Sequence, residues 1–289
     1  TELFVDGVSG NDGNNGLTPT TALRTVDAAW QRIPQGATLS GTGYRVNFAA
    51  GTYPESSLPN YWESRRGTYQ FPIIFRPLPG AGTVTFGGDI NMFDTSYFYL
   101  FDINVAPSPA GDAFHCEACD HVLLRRVVLN GGARAAHETV KINQSQHIYI
   151  EDSDIHGAED NAIDFVAVQY GHIVRNRIHD AQDWCAYVKG GSAYITVESN
   201  EIYDCGTGGF TAGQGSGFEF MTAPWIHYEA YDIKFINNII HDTEGAAFGV
   251  NGGFNILLAH NTASRVGSRD HVIEIVFGYR SCDGNAAEC

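Results

Sequence analysis

The 289-residue chain is short of positive charge, and of lysine above all: of 17 basic residues only Lys141, Lys189 and Lys234 are lysines, against 33 acidic residues and a formal charge of −16. That deficit excludes a nucleic-acid binder that works through a basic surface. Any chemistry that needs an amine is left with three candidates. Methionine is also scarce, at two residues. No apolar run reaches the roughly 18 residues that a membrane-spanning helix needs. What is abundant is glycine, at 33 residues, with 43% hydrophobic and 12% aromatic side chains. Such a composition buries a large core and is far from that of disordered chains.

The six cysteines, at 116, 119, 185, 205, 282 and 289, form an even set. Together with the acidity and the few lysines, they fit an exported, extracellular protein, one expected to be a monomer. Spacing does not choose among the possible pairings, and the short Cys282 to Cys289 loop is the preferred single bridge. Cys116-Glu-Ala-Cys119 can also be read as half a zinc site, but no second Cys or His pair stands at ligand spacing. A start at Thr1 suits a chain that has lost an export signal, and equally a shortened one. The far end follows a strand-like His271 to Phe277 with no capping segment, so the native chain is expected to continue or to have been clipped.

From about residue 98 the chain repeats itself. His147-Ile-Tyr-Ile-Glu-Asp-Ser-Asp-Ile-His156, His172 to His179, Ile195 to Tyr203, Ile233 to His241 and Ile256 to Ala263 each read as an alternating strand, a polar bend and a further apolar residue. A spacing of 23 to 26 residues leaves no room for a strand–helix–strand unit. An all-β, right-handed parallel β-helix (a solenoid) satisfies it, with coils stacked about 4.8 Å apart. Alignment puts Ser153, Asn176, Asn200, Asn238 and Asn261 at one bend, where Asn can adopt the left-handed conformation and bond neighbouring backbone groups. The next column, His156, His179, Tyr203 and His241, is either a stack of rings or a metal site. Ala22, Leu23, Val26, Ala29, Trp30 and Ile33 fall at helical spacing, so Thr21 to Ile33 is expected to be an N-terminal capping helix over the open end of the coil. The whole of 1–289 is thus one domain: a strand and cap over 1–40, irregular first coils over 41–97 and regular coils over 98–289.

Phe4-Val-Asp-Gly-Val-Ser-Gly-Asn-Asp-Gly-Asn-Asn-Gly16, Leu23 to Ala29, Gly51-Thr-Tyr-Pro-Glu55 and Gly67 to Gly80 resemble the start of secreted right-handed parallel β-helix proteins, many of them polysaccharide lyases. Ala186-Tyr-Val-Lys-Gly-Gly-Ser192 is similar to the lysine-bearing strand of polysaccharide lyase family 9, the calcium-dependent pectate lyases. That resemblance implies a lysine base beside an aspartate-bound calcium. The sequence sets that mark polygalacturonases, and the Asp-Pro-His of alginate epimerases, are absent.

Period-two alternation supplies an independent reading. With Val140 and Ile142, Ile163 and Phe165, Ala186 and Val188 inward, one outward column is His115, Lys141, Asp164, Tyr187, Thr211, Gly249 and Glu274. Its neighbour is Glu117, Asn143, Val166, Lys189, Gly213 and Asn251, and His137, Asp160 and Asp183 stack just upstream. From strand rise and coil spacing, the Asp164 and Lys189 Cα atoms should lie about 8 Å apart, and those of Asp160 and Asp183 about 5 Å apart. Carboxylates that close either hold a cation, for which calcium suits best outside cells, or are solvated turn residues. Calcium on Asp160, Asp164 and Asp183 would neutralise a uronate carboxylate while Lys189 removes the C5 proton. Tyr187 is the reserve base or proton donor, and Lys141 either pairs with Asp164 or holds a substrate carboxylate alongside Asn143. The interval from Ile202 to Ile240 is longer than a normal coil, the excess lying in Gln214 to Tyr231. Trp225, His227 and Tyr228 there either stack on sugars or pack the loop down. Arg65 and Arg66 would add contacts to an acidic polymer.

The expectation is a secreted lyase that cleaves an acidic, pectate-like polysaccharide with calcium and Lys189. Its rivals are a β-helix glycoside hydrolase using paired aspartates and a non-catalytic carbohydrate-binding protein.

Overall fold

The computed structural model describes residues 1–106, 111–132, 137–223 and 227–277. Within them, 28 strands build three parallel sheets, one of ten strands and two of nine. The sheets follow one another around each coil. Asp120–Arg125, Val128–Asn130 and Val140–Asn143 make one turn, and Gln146–Glu151 then lands on Asp120–Arg125, with Val122 opposite Ile148. Tyr44–Phe48, Ile73–Pro77 and Val84–Gly87 join the same sheets, so stacking reaches back into segment 41–97.

Alternation drives the interior. Val140, Ile142, Ile163, Phe165, Ala186, Val188, Phe210 and Ala212 are all fully buried, while Lys141, Asn143 and Lys189 stand on the outer face. Burying a large aliphatic or aromatic side chain in each such position contributes about 1.5–3 kcal/mol before entropy is counted. Phe210 and Phe235 stack inside at 4.6 Å between centroids.

Asparagine columns close one corner. Asn176 N–H donates to Asn200 Oδ1, Asn200 N–H to Asn238 Oδ1 and Asn238 N–H to Asn261 Oδ1, each at 2.9 Å. The side-chain amides return bonds to strand carbonyls, as from Asn200 Nδ2 to Ile173 O at 2.8 Å. The left-handed residue is not the asparagine, as its propensity suggested, but its predecessor: Arg175 (φ 57°), Ser199 (57°), Asn237 (55°) and His260 (57°). The asparagine thereby keeps its amide free to bridge coils.

The helix expected over 21–33 is reduced to Val26–Trp30, preceded by a 3-10 turn at Pro19–Thr21. Periodicity overestimated it because Ala22 and Leu23 are buried from extended chain, Leu23 bridging Val5. Trp30 joins the core, its ring 5.0 Å from Trp62 and 6.0 Å from Phe75. Cys116 is bonded to Cys119 and Cys185 to Cys205, which rules out the half zinc site. Cys282 and Cys289 lie outside the described residues. No helix among the described residues is long and apolar enough to cross a membrane.

Candidate functional site

The expected outward columns exist. His115 pairs with Lys141, Lys141 with Asp164, Asp164 with Tyr187 and Tyr187 with Thr211, while Glu117, Asn143, Val166 and Lys189 run alongside. Asp160 N–H donates to His137 O at 3.3 Å and Asp183 N–H to Asp160 O at 3.1 Å, which fixes the third stack. Three consecutive coils thus bring Lys141, Asn143, Asp160, Asp164, Asp183, Tyr187 and Lys189 to one face.

Burial sorts these groups into different roles. Asp164 is 1% exposed. Its Oδ2 lies 3.2 Å from Lys141 Nζ, which also donates to Glu138 Oε1 at 2.7 Å. Asp164 Oδ1 is buried with no hydrogen-bond partner, as is Asn143 Oδ1. Burial pushes the Asp164 carboxyl up to about 6, against the pull of Lys189 and Lys141. Burial pulls Lys141 down, but the charges of Asp164 and Glu138 outweigh it and hold the ammonium well above its ordinary value. Asp160 is raised by burial and then by the charges of Asp183 and Asp164.

Tyr187 is 3% exposed, and burial, followed by the charges of Asp164 and Glu138, pushes its phenol far up. It stays protonated, so the role of reserve base does not suit it, and burial keeps its hydroxyl from a substrate. Its ring instead carries the Lys189 ammonium, whose Nζ sits 4.3 Å from the ring centroid. Asn161 Nδ2 donates to Tyr187 Oη at 3.3 Å and to Asp160 Oδ1 at 2.8 Å, locking the ring and the carboxylate together. Lys189 Nζ donates to Gln214 Oε1 at 3.2 Å.

The long excursion divides in two. Its first part leans back over the site: Gln144 Nε2 donates to Phe220 O at 3.4 Å, and Gln144 belongs to the coil that carries Lys141. Phe218 and Phe220 are exposed there. The second part is packed down, with the Tyr228 ring stacked on Phe254 at 5.1 Å and the His227 and Tyr228 N–H groups both donating to Tyr231 Oη. Trp225 lies outside the described residues. Arg65 is 2% exposed, its guanidinium over the Trp30 ring and bonded to Glu63 O, so a polymer cannot reach it. Arg66 is paired with Asp94. Bridges place Arg66 on Ser96, from which pairings run through Asp120, Gln146 and Gln169 to Ala193. At 4.8 Å per coil that puts both arginines about 24 Å from the Lys189 coil.

Sequence reasoning passed over four polar groups here. Glu138 and Asn161 brace Lys141 and Tyr187, while Asp112, 3.4 Å from His115 Nδ1, orients a histidine that abuts Asn143 Nδ2 at 3.3 Å. Burial and the Lys141 charge lower the His115 pKa. The fourth, Glu229, enters from the far end of the excursion. A signal existed for Glu138, three residues before Lys141, and for Asn161 beside Asp160; none existed for Glu229.

For a metal, Asp164 Oδ1 is a buried oxygen left without a hydrogen-bond partner, and the repulsion that Asp160 feels from Asp183 and Asp164 is what a cation would relieve. Calcium held by these aspartates would share Asp164 with Lys141, its internal counter-ion. Among the described residues, the trios whose ligand atoms all lie within 4.8 Å of one another are others: Asp120, His121, His147 and Asp154, His156, His179. Both are ring stacks. His156 and His179 are 7° from parallel at 4.9 Å, and His121 and His147 are 25° apart at 4.1 Å. A metal must lie near the plane of each imidazole it binds, and planes so arranged do not meet at bonding distance. The histidines share a carboxylate oxygen instead, as His156 Nδ1 and His179 Nε2 do on Asp154 Oδ1 at 2.7 and 3.1 Å.

These coils define a class. The family model for the right handed beta helix region matches residues 112–280, over half of the chain, and the protein belongs to that family. Among solved structures it is similar to pectate lyase Pel9A (13% identity, TM-score 0.59, covering 92% of this chain and 78% of that one). It is similar also to a rhamnogalacturonan lyase (13%, 0.60, covering 88% and 73%) and to an alginate lyase from Paenibacillus sp. str. FPU-7 (10%, 0.52, covering 88% and 96%). At such identities the likeness is one of fold. No curated protein matches the sequence.

Proposed function

We propose that this protein is an exported polysaccharide lyase that cleaves a uronic-acid polymer by β-elimination, with Lys189 as the base. The observation that carries the reading is the placement of Lys189, seated on Tyr187 at the surface of the one face that also holds Lys141, Asn143 and the aspartates. Neighbours of the same fold that are themselves named lyases support the substrate class, and the two disulfides support export. The five-residue helix that ends at Trp30 serves as the cap.

In this reading the substrate lies along the outer face against Phe218 and Phe220. Lys141, kept cationic by Glu138 and Asp164, faces the uronate carboxylate and favours negative charge developing at C5. Asn143, held against His115, lines the floor beside Lys141. Lys189 Nζ takes the C5 proton, the electron pair forms the C4–C5 double bond, the C4–O4 bond breaks and the departing oxygen takes a proton from water. Asp160, Asp164 and Asp183 would hold calcium, which when bound neutralises the substrate carboxylate further.

A second reading has one observation in its favour: Asp164 retains a proton up to about pH 6, as a glycosidase acid must. Its burial beneath Lys141 counts against it. One experiment separates the readings. A panel of pectate, alginate and glucuronan is incubated with the protein, and absorbance of unsaturated ends is followed beside reducing ends. The lyase yields both, and Lys189→Ala abolishes them. Reducing ends without unsaturation select the hydrolase, and no product from any polymer leaves a binding protein. Activity unchanged by strong chelation removes calcium.

A further inference from the structure

Glu229 has no exposure at all, yet it lies at the end of a surface excursion, one residue before the strand Ala230–Ile236. A carboxylate is buried at a cost of several kcal/mol unless donors surround it. Here they do. Oε2 accepts from Gly190 N–H at 2.9 Å and from Ser216 Oγ at 2.9 Å, and Oε1 accepts from Ser216 N–H at 2.7 Å. Its backbone extends the same grip, since Gly191 N–H donates to Glu229 O at 3.0 Å.

The two segments clamped in this way are those that determine where the Lys189 amine sits. Gly190 and Gly191 form the left-handed corner directly after Lys189, with φ of 67° and 83°. A Cβ on Gly190 would come 2.8 Å from Val166 Cγ1, so the corner is also tightly packed. Ser216 is two residues beyond Gln214, whose Oε1 accepts from Lys189 Nζ. A single buried carboxylate therefore holds both the backbone that follows Lys189 and the loop that presents the partner of its ammonium.

We infer that Glu229 is a positioning residue: by tying the Gly190 corner to the start of the 214–229 excursion it fixes the Lys189 amine over Tyr187, in register with the substrate. The inference rests on Lys189 being the base. Glu229 touches no substrate and moves no proton. Glu229→Gln is nearly isosteric but presents an NH2 group to one of the backbone donors, so either Gly190 N–H or Ser216 N–H loses its acceptor and the clamp loosens.

Scarcity of lysine allows a test that does not depend on turnover. The intact protein is acylated at limiting reagent and labelling is read peptide by peptide, with exposed Lys234 as internal standard. In Glu229→Gln, Lys189 labelling rises several-fold while Lys234 is unchanged, and kcat on the responsive polymer falls about 10- to 100-fold with little change in KM. A folded Glu229→Gln protein with wild-type labelling and wild-type kcat overturns the inference. If Glu229→Gln does not fold, Ser216→Ala, which removes one hydroxyl donor to the same carboxylate, is read in the same two ways. Full activity of Lys189→Ala would overturn the lysine base instead, while altered labelling in Glu229→Gln would still show that the clamp holds the amine.

Discussion

At the scale of single residues, the site is governed by the contrast between Asp164, sealed beneath Lys141, and Lys189, lying on an aromatic ring at the surface. Asp164 holds its proton up to about 6 in the native protein, against an ordinary 3.8. Between those values the folded chain binds more protons than the unfolded chain, so this group makes stability fall as pH rises from about 4 to 6. The full displacement corresponds to about 3 kcal/mol. Asp160, also raised, acts in the same direction. Asp164→Asn cannot ionise and leaves Lys141 its second partner, Glu138. Urea unfolding at pH 4 and pH 6.5 should therefore show a shallower fall in stability for Asp164→Asn than for wild type. Identical pH profiles would mean that Asp164 is not perturbed. The Asp164 and Lys189 columns were legible because a two-residue alternation and a coil of 23 to 26 residues place every outward side chain. Arg65 was misread because its charge suggested solvent, whereas its planar guanidinium lies flat on buried Trp30.

At the scale of elements, the asparagine corner does the work that a hairpin turn does elsewhere, repeated coil upon coil. Asn200 Oδ1 accepts from Asn176 N–H, and Asn200 Nδ2 donates to Ile173 O, all within the buried interior. Asn200→Ala leaves at least two buried backbone groups unpaired, at about 1–3 kcal/mol each. Chemical denaturation should show a loss of about 2–6 kcal/mol, whereas Asn200→Ser should lose less, because Ser153 fills the same column and its hydroxyl receives Val127 N–H at 3.1 Å. Equal losses for the two would remove the hydrogen-bond explanation. The column could be read in sequence, since coils that stack must repeat their corner chemistry. Which residue takes the left-handed conformation could not, because one position separates the bend that needs positive φ from the amide that bridges coils. Glu229 was equally hidden. A loop that leaves the repeat obeys no period, and its return point is set by three-dimensional packing alone.

At the scale of the whole molecule, the acidic polymer proposed as substrate would meet a charge of −16, of like sign to its own. The repulsion is long-ranged, while the attraction of Lys141 and Lys189 acts only within the site. Salt separates the two, because the screening length shrinks from about 30 Å at 0.01 M to about 10 Å at 0.1 M. A long anionic polymer approaches through the field of the entire chain, so its kcat/KM should rise several-fold as salt is increased over that range. A short oligomer that fills only the face between Lys141 and Lys189 feels those cations more strongly than the distant acids, and its kcat/KM should stay level or fall. Initial rates on polymer and oligomer across a salt series measure both. A polymer rate that declines with salt from the outset would show that the local cations command the approach as well as the grip.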